Sequence, residues 1–214
     1  RGFKKRPIWR DIDDLIYGGY LEARRTNHDL FVTKRREVGL SFIFGGIIPL
    51  WIAMCYPGST SLITSADKKR LEAVFKDKLR VVYDEFDPYA RPGVVSTRQE
   101  GYLHLGKRDG KTGTVTGLDS QIITKETVDT PTAFEAKTLW DGAEALNILT
   151  MFLPGYQGIM EAPELDVNGK ETGKYSNFCP NGHSDEKAAT EYIMRTRDKL
   201  DKLEDKSFLN SFIK

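Results

Sequence analysis

The chain has 214 residues, 39% of them hydrophobic and 29% charged, which excludes a disordered or fibrous protein and allows one sizeable core. Its 32 Lys and Arg stand against 31 Asp and Glu, a formal net charge of +1; with no bulk positive field, any contact to nucleic acid must come from a local patch. Cys55 and Cys179 lie far apart without CxxC spacing, which argues against a disulfide framework and for a reducing compartment.

The basic start, residues 1–10, runs into Asp11, Asp13 and Asp14 where a secretory signal needs an apolar core, so no such signal is expected. Pro7 to Arg25 is expected as a helix, with Ile12, Leu15, Ile16, Tyr20 and Leu21 recurring at helical spacing. Asp29 to Thr33 (DLFVT) reads as a short strand, Lys34 to Gly39 as a basic loop, and Phe42 to Tyr56 as a buried helix. That last segment has about fifteen residues against the roughly 20 a membrane span needs, and Gly45, Gly46 and Pro49 interrupt it. Ser61 to Ser65 reads as a second strand and Asp67 to Tyr83 as a second helix, with Leu71, Val74, Phe75, Leu79 and Val82 on its apolar face.

Strand, helix, strand, helix in succession implies an α/β fold with a mainly parallel sheet and crossover helices. Further on, residues 86–95 read as a loop, and two β segments, Gly101 to Leu105 and Thr114 to Ile123, flank the turn-rich Gly106 to Gly113. Residues 154–181 are loop-like, with Asn168-Gly169 a hairpin candidate. Ser184 to Leu203 is expected as a polar helix with a narrow apolar stripe.

The chemistry concentrates in Lys34-Arg35-Arg36-Glu37-Val38-Gly39-Leu40-Ser41. A phosphate loop, GxxxxGK[ST], cradles phosphates with backbone N–H groups, neutralises them with Lys and ligates Mg²⁺ with Ser or Thr. Gly39 and Ser41 stand where that pattern needs them, while Leu40 occupies the usual lysine position. A lysine at the other end of the same loop reaches the phosphates if the loop wraps around them. The position of this run, after an apolar strand and before a buried helix, is the context a phosphate loop requires.

The segment KRREVGLS resembles the modified phosphate loop of the large terminase subunits that package DNA into tailed bacteriophages, which often reads KxxRxGxS. The resemblance implies a P-loop NTPase fold, with an ATPase domain over 1–180 and a helical linker over 181–214 leading toward a nuclease domain. It implies Lys34 as the relocated lysine, Gly39 as the tight-turn glycine and Ser41 as the Mg²⁺ ligand. ATP contacts would come from Lys34, Arg35, Arg36, Val38, Gly39, Leu40 and Ser41, with Lys34 and Arg36 catalytic. Glu37 stands where an arginine is common in the family. Upstream, Trp9 and the acidic helix resemble the family's adenine side. Implied partners are double-stranded DNA, a portal protein, a small terminase subunit and further copies in a pentameric ring, with no membrane. The implied location is the host cytoplasm and the procapsid vertex.

A strand ending in Asp-Glu, which would complete the Mg²⁺ site and orient water, is the gap in this resemblance. Leu79 to Glu85 matches in letters, but its periodicity is helical. The family order would place the acids between Glu135 and Asp141, where Ala-Lys-Thr-Leu-Trp leaves no room for a strand. Either this is an inactive relative, or residues are missing near 138–141; we favour the second, which an intact mass of 24.3 kDa would contradict. His28, His104 and His183 have no spacing suited to a metal, and Cys179 with His183 makes two zinc ligands of a needed four. Ser120 has no visible Asp–His pairing to make it a nucleophile. Two other functions fit parts of the pattern: a helicase-like P-loop ATPase, and a membrane-anchored structural protein using residues 42–56.

Overall fold

The computed structural model describes residues 9–34, 39–65, 67–98, 101–127, 133–159, 161–165 and 171–201. The chain falls into two compact units, one made of Arg1–Val38 with Glu135–Lys214 and the other of Gly39–Phe134.

The first unit opens with α1 (Asp11–Thr26). Acids fill its first turn and Arg24 and Arg25 its last, matching the helix dipole at both ends. The Arg10 guanidinium holds the Asp13 carboxylate by two hydrogen bonds of 2.8 and 2.6 Å, and Asn27 closes the helix at φ 56°. Ile12 and Ile16 are fully buried, whereas Leu15 and Leu21 stay exposed; the apolar stripe is narrower than the periodicity suggests. The helix packs on β1 (Asp29–Lys34) and β6 (Ile148–Leu153).

β1 and β6 pair in parallel, from Asp29 opposite Ile148 to Lys34 opposite Leu153. α6 (Ala133–Asp141) precedes β6, and Trp140 meets Phe31 of β1 edge-on at 6.1 Å. β7 (Glu161–Leu165) and β8 (Glu171–Asn177) pair antiparallel, and the hairpin candidate Asn168-Gly169 lies outside the described residues. α7 (Glu186–Asp201) closes a small core in which Ile159, Phe178 and Ala189 are buried. Asp11 accepts the Ser184 N–H at 2.9 Å and lies 3.2 Å from His183 Nδ1, tying the start of α7 to the start of α1.

The second unit carries a helical layer on a four-stranded sheet. Residues 40–55 form one continuous helix: α2 (Leu40–Phe42), a π-helical turn (Ile43–Ile47) and α3 (Ile48–Cys55). Residues 68–85 form a second, with α4 (Lys68–Val74), another π turn (Phe75–Leu79) and α5 (Arg80–Glu85). Asp67 caps this helix by accepting the Lys69 N–H at 2.9 Å. The two π turns face each other. A Cβ on Gly45 would lie 2.5 Å from Val74 Cγ1, and one on Gly46 would lie 3.4 Å from the Lys78 carbonyl oxygen. The two glycines therefore permit the close helix crossing.

The sheet order is β2 (Thr60–Ser65), β5 (Val115–Glu126), β4 (Tyr102–Arg108), β3 (Val94–Arg98). Leu50, Ala53, Phe75, Leu79 and Tyr83 of the helices meet Leu103, Leu105 and Ile122 of the sheet in one core. β2 and β5 are parallel, but β5–β4 and β4–β3 are antiparallel. This corrects the expectation of a mainly parallel sheet: the fold is α/β with a mixed sheet. The short connections joining β3 to β4 and β4 to β5 allow only antiparallel pairing.

Candidate functional site

Gly39 sits at φ 89°, ψ 4°, the left-handed conformation that favours glycine, and caps the 40–55 helix. Its carbonyl accepts the Phe42 N–H at 2.8 Å. The first N–H groups of such a helix have no partner within it and carry the positive end of its dipole. Ser41 lies in that first turn and is exposed.

Ser41 also lines a cleft of about 300 Å³ whose polar groups include Thr64 and Ser65, at the end of β2, and Arg70, in the first turn of α4. Phe44 and Leu71 contribute apolar wall. Arg70 is held 3.1 Å from the Asp67 carboxylate. The cleft thus brings Ser41, Thr64 and Ser65 together beside an arginine already paired with an aspartate.

In the first unit, Lys34 is the last residue of β1, and burial lowers its ammonium pKa below the ordinary lysine value. Arg35, Arg36 and Val38 lie outside the described residues, as does Glu37.

The strand beside β1, β6, is not among the elements expected from the sequence. Its signal was available: Ile148 to Leu153 (ILTMFL) is a six-residue apolar run between Asn147 and Pro154. It ends in Leu-Pro-Gly and brings no carboxylate to the end of β1. Asp84 and Glu85 end helix α5, with Arg80 3.9 Å from Asp84, so they do not close a strand. Glu135 to Asp141 belongs to α6, where Lys137 pairs with Asp141.

The minor candidates have local partners. Ser120 is fully buried and its hydroxyl donates to the Leu118 carbonyl at 3.1 Å. Burial raises the Cys179 thiol pKa. Among the described residues, no group of three or more His, Cys, Asp or Glu is placed to hold a metal ion, and no helix is long and apolar enough to cross a membrane. Compared with protein-family models, curated proteins and solved structures, the chain matches none of them.

Proposed function

We propose that this chain is an ATP-binding and ATP-hydrolysing motor subunit of the large-terminase type, which moves double-stranded viral DNA into a procapsid. The observation that carries the reading is Gly39. A left-handed glycine at the start of a long helix, with a serine two residues on lining a cleft, is the local geometry that a phosphate loop needs. In the sequence, Lys34, the last residue of β1, precedes Gly39, which supports the reading by order along the chain.

On this reading Lys34 neutralises the β- and γ-phosphates of ATP, and loop N–H groups orient them. Ser41, exposed in the first turn of that helix, is the residue proposed to hold Mg²⁺. Mg²⁺, when bound, supplies charge neutralisation across the two phosphates. Arg35 and Arg36 are proposed as further phosphate contacts. A portal protein, a small terminase subunit and further copies in a ring are the proposed partners.

The test is nucleotide binding and ATP turnover of the wild type against Lys34→Ala. The variant should lose at least tenfold in ATP affinity and most of its turnover. Equal binding and turnover by both proteins would rule out Lys34.

A further inference from the structure

A second feature of the Gly39–Phe134 unit concerns the polymer on which such a motor acts. β3 pairs with β4 only over Tyr102 to Leu105, and β2 pairs with β5 only from Gln121 onward. Beyond those limits β4 and β5 have only each other as strand partners among the described residues, through Lys107 opposite Thr116 and Arg108 opposite Val115. A two-stranded ribbon therefore runs past the edge of the four-stranded sheet. It departs at a register shift between Leu105 and Lys107, where Gly106, Gly117 and Asp119 all take positive φ; such a bulge bends and re-aims a strand pair.

Residues 107–114 are all exposed and contain three cations, Lys107, Arg108 and Lys111, against one acid, Asp109. One Asp109 carboxylate oxygen accepts the Lys111 and Thr112 N–H groups at 2.7 and 2.8 Å. The acid is thus turned into the ribbon's own turn. The turn is further held by the Asp109 N–H on the Thr114 carbonyl, the Gly113 N–H on the Asp109 carbonyl, and Arg108 Nη1 on the Gly113 carbonyl at 3.4 Å. The cations near the start of α4, by contrast, are interleaved with Asp67 and Glu72. In a chain of net charge +1, the ribbon is, among the described residues, a local patch of the kind that contact with nucleic acid demands.

Exposed Lys and Arg side chains are the usual contacts to DNA phosphates, which position a protein on a duplex without reading its sequence. We propose that the β4–β5 ribbon grips the phosphate backbone of double-stranded DNA through Lys107, Arg108 and Lys111, independently of sequence. The reading needs no nucleotide, so it stands or falls separately from the phosphate loop.

The test is binding of the full chain to a random-sequence duplex of about 30 base pairs across a salt series without ATP, since each phosphate contact adds about 0.9 to the salt slope. For K107A/R108A/K111A the plot of log affinity against log salt should flatten by about 2 to 3, with affinity down at least tenfold at low salt. ATP affinity should be unchanged. K68A/K69A/K76A, which removes equal charge from the 68–85 helix, should keep the wild-type slope. Gly110 has no neighbour within 4 Å of an added Cβ, so Gly110→Lys should steepen the slope by about 1, a gain that misfolding cannot mimic. Absence of duplex binding by the wild type, an unchanged slope in the ribbon variant, an equal loss in the helix variant, or no gain from Gly110→Lys would each overturn the proposal.

Discussion

His104 Nε2 lies 2.7 Å from Asp119 Oδ1, across the bulge where β4 and β5 leave the four-stranded sheet. The imidazole is buried while the Asp119 side chain is 58% exposed, so the contact pins an outer residue to an inner one. Asp119 pays for its place with φ 44°. Asp tolerates this conformation better than most residues, and glycine better still. Both Asp119→Ala and Asp119→Gly lose the hydrogen bond, but alanine keeps the backbone strain. The alanine variant should therefore be less stable than the glycine variant by about 1 kcal/mol, read by urea denaturation; the reverse order would mean the backbone is not strained there. Both should speed amide exchange over residues 106–117.

The close crossing of the 40–55 and 68–85 helices gives a second expectation. Gly45→Ala places a methyl 2.5 Å from Val74 Cγ1 and should cost about 1–3 kcal/mol, as overpacking does. Since the obstacle is a side chain, Val74→Ala should recover part of that loss in the double variant. Additive losses in thermal or denaturant unfolding would show that the two residues do not clash.

Burial lowers the Lys34 pKa. In the interval between the lowered value and the ordinary lysine value, the unfolded chain binds the proton and the folded chain does not. The stability cost is thus fully present below the lowered pKa and fades as pH rises to the ordinary value. An anion at the ammonium reverses the effect. Lysine side-chain NMR should show Lys34 titrating below the other lysines, and moving upward when ADP and Mg²⁺ are added. No movement would separate Lys34 from the nucleotide.

Backbone N–H groups of Thr112 and Lys111 hold the Asp109 pKa below the ordinary aspartate value. The stabilisation this adds to the turn is present above that ordinary value and is lost as pH falls through the lowered one. The amide resonances of Lys111 and Thr112 should report a single titration below the normal aspartate range. Asp109→Ala should abolish it and loosen the ribbon at neutral pH; an unchanged exchange rate at the tip would contradict this role.

Much of the local structure was legible in the residues. The apolar run from Phe42 and the helical spacing of Leu71, Val74, Phe75, Leu79 and Val82 announced the two helices of the second unit, because each signal acts within a few residues. Gly39 could be picked out as a turn residue for the same reason. The helical period of Leu71, Val74, Phe75, Leu79 and Val82 also set Asp84 and Glu85 at a helix end, and the structure keeps them there.

Partnership was not legible. Ile148 to Leu153 is an unremarkable apolar run until it lies beside β1, a pairing between residues far apart along the chain, which no local pattern encodes. The antiparallel β3–β4–β5 part of the sheet follows from short connections, but the parallel seat of β2 beside β5 depends on which edges meet. The sequence by itself offered Lys34 to Ser41 as a phosphate-loop candidate, through a partial motif and a resemblance, and determined the helix that follows, since capping and helical period are local properties. Only the tertiary structure decided the mixed sheet, the strand beside Lys34 and the ribbon of Lys107, Arg108 and Lys111. Strand order, register and projection depend on non-local hydrogen bonds and on what the core can bury.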